Sequence, residues 1–239
     1  TWITSNAQDP TFTQFYSNPL YLNPAFAGSN GCPRFNLNYR NQWPQLSANY
    51  ITYSASYDNY SKNISGGLGV LATYDQQGQG TISTAMLGLI YSYHLTLGRK
   101  WKLLFGARAS WYQKSLDWSK CTFGDMIDPR RGFIYQTGDV IRGNGRHGFF
   151  DASAGMVGFT KNFYFGIAGH HLNRPDESMI LGESRLPIRV TGHMGATIKI
   201  GQRGRYSSNT MLMPNIIYQY QNGFQEFNIG AYLKYESFT

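Results

Sequence analysis

Gly143 Asn144 Gly145 Arg146 His147 Gly148 spells GxGxxG, the pattern that holds a dinucleotide pyrophosphate when a strand runs into it and a helix leaves it. Neither flank fits. A long loop precedes the motif, and Phe149 Phe150 Asp151 Ala152 Ser153 Ala154 after it reads as a strand, so no cofactor is expected there. The histidines His94, His147, His170, His171 and His193 are the groups suited to metal binding or proton transfer. No HExxH occurs, and Cys32 and Cys121 are too far apart for zinc spacing, so a metal would have to be assembled across elements and none is expected. Ser, His and Asp are present without a GxSxG elbow, and no catalysis is expected. Distinctive chemistry remains in Asp128 Pro129 Arg130 Arg131 Gly132 Phe133, a turn with two guanidiniums beside a carboxylate. Such a turn suits either a pairing that fixes a loop or contact with a partner.

The elements that carry these residues have a period of two. Leu87, Leu89, Tyr91, Tyr93, Leu95 and Leu97 fall on one face of an extended strand, with Gly88, Ser92, His94 and Thr96 on the other. Ile188, Val190, Met194, Ala196, Ile198 and Ile200 repeat the pattern, which places His193 with His94 on the polar face. Ten strands are expected, over 34–43, 48–58, 63–74, 81–97, 101–114, 148–159, 162–171, 187–200, 206–220 and 224–236. Several approach the roughly nine to eleven residues of a tilted bilayer crossing. The links 59–62, 98–100, 160–161 and 201–205 read as tight, whereas 75–80, 115–147 and 172–186 read as longer. Short periplasmic turns opposite longer outer loops are the habit of outer-membrane barrels, and this asymmetry puts the N-terminus on the periplasmic side. The 115–147 loop is over twice the ~12–15 residues beyond which structureless connections become uncommon, so a fold or a function of its own is expected in it.

Composition narrows the class. The 239 residues carry 21 Lys+Arg against 13 Asp+Glu, a formal net charge of +8. No basic run exceeds the pairs Arg99 Lys100 and Arg130 Arg131, which excludes the clustered footprint of a nucleic-acid binder. Only 14% of residues are charged and 16% are aromatic, and no apolar run suffices for a transmembrane helix. The polar strand faces hold Gly, Ser, Thr and Asn with single charges such as Arg40, Arg108, Asp151, Arg189, Lys199 and Glu226. A soluble barrel would need a densely charged outside, so this face reads as a lumen and the apolar face as a lipid-facing shell. Tyr39, Trp43, Tyr57, Tyr60, Tyr74, Trp101, Trp111, Trp118, Tyr206 and Tyr235 fit interfacial girdles. The fold expected is an all-β, antiparallel, up-and-down transmembrane barrel. A Cys32–Cys121 bridge is disfavoured, because that topology puts the two thiols at opposite ends.

Residues 1–7 end in Ser5 and Ala7 at signal-peptidase spacing and are expected to be a signal-peptide remnant, with the mature chain beginning at Gln8. From there QDPTFTQFYSNPLYLNPAFAGS contains Asn18 Pro19 and Asn23 Pro24, turn-prone pairs that deny it a long helix. This opening, the loop Gly124 Asp125 Met126 Ile127 Asp128 Pro129 Arg130 Arg131 Gly132 Phe133, and the stretch His171 to Ser178 with Leu186 Pro187 Ile188 Arg189 resemble the PorP/SprF family of the type IX secretion system. The resemblance implies a non-enzymatic, cofactor-free outer-membrane barrel that supports protein export or, in gliding bacteria, delivery of surface adhesins. It also implies further strands beyond Thr239, for about 12 to 14 in all, within the range of outer-membrane barrels. Partners implied are secretion-machinery subunits in periplasm and outer membrane, exported proteins and the lipid bilayer, with no nucleic acid. The layout expected is a periplasmic or lumen-docked segment over 8–33 and the barrel over 34–239. Outer contacts are expected at Asp128, Pro129, Arg130, Arg131, Gly132 and Phe133, and periplasmic docking at Phe12, Phe15, Tyr16, Arg99, Lys100 and Lys161. A passive porin or a channel for hydrophobic substrates is the alternative.

Overall fold

The computed structural model describes residues 17–45, 49–78, 80–121, 123–128, 130–135, 137, 145–179, 184–200 and 210–235. After one helical turn, α1 (Pro19–Leu22), the strands are β1 (Arg34–Gln42), β2 (Tyr50–Ser61), β3 (Gly66–Gln77), β4 (Ile82–Leu97), β5 (Trp101–Leu116), β6 (Ile127–Asp128) and β7 (Gly132–Phe133), then β8 (Arg146–Phe159), β9 (Phe163–His170), β10 (Arg189–Ala196), β11 (Ile198–Ile200), β12 (Thr210–Gln221) and β13 (Phe224–Lys234). β6 and β7 form a small hairpin of their own, and the others make one antiparallel sheet in which each crossing pairs with the next along the chain. β10 and β11 both pair with β12 and are two halves of one crossing broken at Thr197, so the sheet has the ten crossings the periodicity predicts. Among the described residues no helix is long and apolar enough to cross a membrane, and no pairing joins β1 to β13.

The sheet is nevertheless curled. Asn18 bonds Ser54 on β2, and Leu22, one helical turn later, meets His170 on β9. Those two residues are separated by about 6 Å of helix rise. β2 and β9 stand five strand spacings apart, about 24 Å if the sheet were flat. Only a wall bent around the segment lets both contacts form, as a barrel requires. Along this wall the faces separate as expected: Leu87, Leu89, Tyr91 and Tyr93 point out, with Leu89 63% exposed, while Met86, Ile90 and Ser92 are buried inside. Tyr39, Trp43, Tyr57, Tyr74, Trp101, Trp111 and Tyr235 are exposed, whereas Tyr60 turns inward and stacks on His94 at 5.2 Å, so it is no girdle residue. Tyr206 lies outside the described residues.

Among the described residues the connections depart from expectation in one place, and the 201–205 link, expected to be tight, lies outside them. The β3–β4 link, expected to be long from Asp75, is confined to 78–81, because the ladder runs on to Gln77 opposite Ile82. Asp75 stays in it because its carboxylate accepts from Thr52 Oγ1 at 2.6 Å and Gln77 Nε2 at 2.9 Å, so its charge is satisfied inside the strand. The β12–β13 link at the same end is the tight pair Asn222 Gly223, both with positive φ as a two-residue hairpin requires. The long connections 117–145 and 171–188 share that end, and the turns 62–65, 98–100 and 160–162 lie at the other.

Candidate functional site

The inside of the curled wall is occupied by the chain's own residues 18–28. Each Asn-Pro pair starts a helical turn: Pro19 opens α1 and Pro24 opens a 3-10 turn at Pro24–Phe26, positions where a missing N–H costs nothing. Asn23 joins the two turns. Its N–H closes α1 on Pro19 O, and its side-chain oxygen accepts from Ala25 N at 2.9 Å. Its Nδ2 meanwhile reaches Met156 O, Ile167 O and His193 Nε2 at 3.1–3.2 Å. Leu20, Leu22, Ala25 and Ala27 are buried against Leu71, Met86, Ile90, Leu104, Val157 and Ile217, with Phe26 at the junction of all three apolar clusters. The lumen is therefore a mixed core, apolar where it meets Leu and Ala side chains and polar where it meets the segment's backbone.

Strands approach the segment too closely for side chains at some points. A Cβ on Gly106 would lie 2.2 Å from Ala25 N, and one on Gly67 would lie 2.2 Å from Ala27 O. The far end of the segment is fastened by an ion pair between a half-buried arginine and a fully buried aspartate. Arg34 grips Asp58 through Nε at 2.9 Å and Nη2 at 3.0 Å, and the same carboxylate accepts from Gly28 N at 2.7 Å. Ser92 Oγ donates to Ala25 O at 2.8 Å, and His94 Nε2 bonds Ala27 O at 2.9 Å. Asp58 and Arg34 were not singled out by the sequence, whereas the histidines and Asn23 were, for metal or proton chemistry and for a turn, and here they hold the segment instead. Their shared signal was the lumen register of strand residues opposite an Asn-Pro-rich segment.

The end of the wall with the long loops carries a second network. His170 ends β9 facing the lumen, and His171 should then face outward. Its φ of 58° breaks the alternation, so it too turns inward and bonds Asp151 at 3.0 Å. Asp151 also lies 4.0 Å from Arg108, which donates to Ser153 Oγ at 3.0 Å. The loop after His171 folds back across the wall: Asn173 exchanges bonds with Phe150 O and Ala152 N, and Glu177 pairs with Lys114 at 2.9 Å. Ser, His and Asp do meet here, but Ser153 Oγ lies 3.4 Å from Asp151 Oδ2, whereas a nucleophile would bond the imidazole. The described residues contain no group of three metal-ligating side chains, and His94 and His193 both hold the N-terminal segment.

The Asp128 turn resolves differently from a side-chain pairing. The carboxylate accepts from the backbone N–H groups of Arg130 and Arg131, both at 2.8 Å, and from Tyr135 OH at 3.2 Å, leaving both guanidiniums exposed. The Arg130 N–H, followed by that of Arg131, holds the Asp128 carboxyl below the usual carboxylate range. The turn is thus intact at neutral pH and loosens only as acid protonates that group. Gly132, at φ 77°, pairs with Asp128, and Phe133 pairs with Ile127 across the β6–β7 hairpin. Pro129, Phe12, Phe15 and Tyr16 lie outside the described residues. Arg99, Lys100 and Lys161 are exposed on turns at the opposite end of the wall, so the structure does not bring them together with the Asp128 turn. Cys32 and Cys121 are both free thiols.

A family model described as "Type IX secretion system membrane protein PorP/SprF" matches residues 4–239. No curated protein and no solved structure matches the chain. The matched span takes in the lumen segment, every crossing of the wall and both long loops. An all-β wall with an apolar exterior and a family match over nearly its whole length lead to one conclusion: the chain belongs to the PorP/SprF family of type IX secretion system membrane proteins.

Proposed function

We propose that this chain is a non-enzymatic barrel of the outer membrane that supports export or surface delivery of proteins, adhesins in gliding bacteria among them, by binding partners. The N-terminus and the short turns face the periplasm, and the long loops face outward. The observation that carries this reading is the lumen filled by residues 18–28, whose backbone is bonded to strand after strand. A passive porin or hydrophobic-substrate channel needs an open path where this segment lies, so occupancy favours a docking role. The layout is a lumen segment within 8–33 followed by the barrel from Arg34. Exported proteins meet the outer loops, where Asp128 presents Arg130 and Arg131 with their guanidiniums free of its carboxylate.

Periplasmic subunits grip the short turns, which offer little but cations: Lys62, Arg99, Lys100 and Lys161 are all exposed there. Pull-down from detergent-solubilised outer membrane, with mass spectrometry of the co-purifying chains, tests the reading. Reversing charge at Arg99, Lys100 and Lys161 together is expected to weaken capture of periplasmic subunits several-fold, most strongly at low salt where screening is weak. The barrel should stay folded and heat-modifiable, since turn charges lie outside the hydrocarbon. Undiminished capture by the folded triple variant would remove these turns from the docking surface.

A further inference from the structure

Hydrogen-bond chemistry fixes the protonation state of two histidines that hold the lumen segment. Backbone groups set the orientation of the Asn23 amide: Nδ2 faces Met156 O and Ile167 O, and Oδ1 accepts from Ala25 N. The two N–H groups of Nδ2 are shared among three partners, and His193 Nε2, 3.1 Å from that Nδ2, can only accept there, because a protonated Nε2 would set donor against donor. Its one proton sits on Nδ1, which is buried without a partner. His170 Nε2 lies 3.2 Å from Leu22 O and so donates, while its Nδ1 faces Arg108 Nη2 at 3.4 Å. A guanidinium only donates, so that Nδ1 accepts. Both rings are neutral, and each would take a second proton on a nitrogen that faces a donor. His94 is different, because its Nε2 donates to Ala27 O in either state.

The surroundings reinforce the restriction. Against His193 pack Asn23 and Phe26 from the segment and Tyr164 and Gly166 from β9, none of them charged. Around His170 stand Arg108 from β5, the buried Arg189 directly opposite on β10, Ser153 and Asp151 from β8, and the adjacent His171. Asp151 is already shared by Arg108 and His171, so its charge is engaged before His170 could claim it.

We propose that the N-terminal segment is held by a proton-sensitive latch: neutral His170 and His193 grip Leu22 and Asn23, and a second proton on either ring releases the segment from the lumen. The proposal rests on the reading that this segment closes the lumen. Released, the histidines meet water, where an imidazole takes its second proton at about pH 6.5. Retention is then complete above that value and weakens as pH falls below it, each ring making release about tenfold more favourable per pH unit. This window lies above the one in which the Asp128 turn titrates.

The test uses the full chain in planar bilayers and in detergent between pH 7.5 and 4.5. Leu20, fully buried in the segment, is replaced by cysteine, and Cys121→Ser leaves the exposed Cys32 as the internal reference. The ratio of labelling at the two thiols cancels the pH dependence of thiolate chemistry. The ratio is expected to rise at least about tenfold between pH 7.5 and 5 as conductance appears, with the barrel still heat-modifiable. The double variant His170→Gln/His193→Gln should show neither change, and deletion of residues 8–30 should conduct at every pH. A flat response of the native histidines beside a conducting deletion variant overturns the latch and leaves the seal standing. A deletion variant that stays closed overturns the seal itself. An equal acid response in the double variant also overturns the latch. Should the double variant not fold, His193→Gln alone should halve the slope of log ratio against pH, and an unchanged slope counts against the proposal.

Discussion

Gly106→Val is expected to expel the lumen segment and convert a closed barrel into a conducting one. Gly106 sits mid-strand on β5 between Ser92 and Gly155, and its backbone pairing is indifferent to a side chain. Toward the lumen, however, a Cβ would lie 2.2 Å from Ala25 N, 2.4 Å from Pro24 C and 2.5 Å from Ala25 Cα. All three are backbone atoms of a segment fixed on both sides by Asn23 and by the Arg34–Asp58 pair, so no rotamer change relieves the contact. The cost exceeds the about 1–3 kcal/mol of ordinary overpacking, and the element that gives way is the segment rather than the hydrogen-bonded wall. Single-channel recording should show open events for the variant where the unaltered chain shows negligible current. A folded Gly106→Val barrel that stays electrically silent would mean that the segment does not seal the lumen.

Leu89→Arg is expected to destabilise the barrel by about 2–4 kcal/mol, the depth-dependent cost of an arginine at the bilayer midplane. Leu89 lies midway along β4, points outward and is 63% exposed to what must be lipid. Thr197→Arg is the control. Thr197 interrupts β10 and β11 near the short-turn end, with its N–H bonded to Asn162 O, so the same charge there should cost no more than about 1 kcal/mol. Urea titration of both variants refolded into bilayers measures the difference, and equal losses would mean that Leu89 does not face lipid at the bilayer midplane.

The wall was legible because both of its faces have a consistent solvent. Leu87 to Leu95 point out and Gly88 to His94 look inward, so a period of two persists from Ala85 to Leu95 of β4. What the sequence hid is whatever depends on partners distant in the chain. Nothing about Asn23 announces that its amide will meet Met156, Ile167 and His193, because those carbonyls and rings are delivered by strands folded around it. Asp75 looked like a loop residue because its partner Thr52 sits on another strand. The inward turn of His171 was equally hidden, since alternation assigns it outward and only a positive φ reverses it. At 124–133 the acid-and-arginine turn was visible, but its bonds go to backbone amides, which every sequence possesses.

The order in which the segment's contacts can form has a kinetic meaning. Asn18 waits for Ser54, thirty-six residues on, but Asn23 waits for Met156 at a separation of 133, Leu22 for His170 at 148, and Asn23 again for His193 at 170. The hairpins of the wall close locally, while these contacts close loops as long as most of the chain, and long-range contacts are slow to form. The segment that precedes the wall in the chain should therefore be the last part of it to reach its native place. Refolding into bilayers should show a fast phase in which the barrel becomes heat-modifiable and a slower one in which a label at Leu20→Cys becomes protected. Simultaneous protection would mean that the strands condense around the segment. With the slower phase, every newly inserted copy passes through an interval with an unfilled lumen, the one moment in its lifetime when that interior is open to another chain's segment.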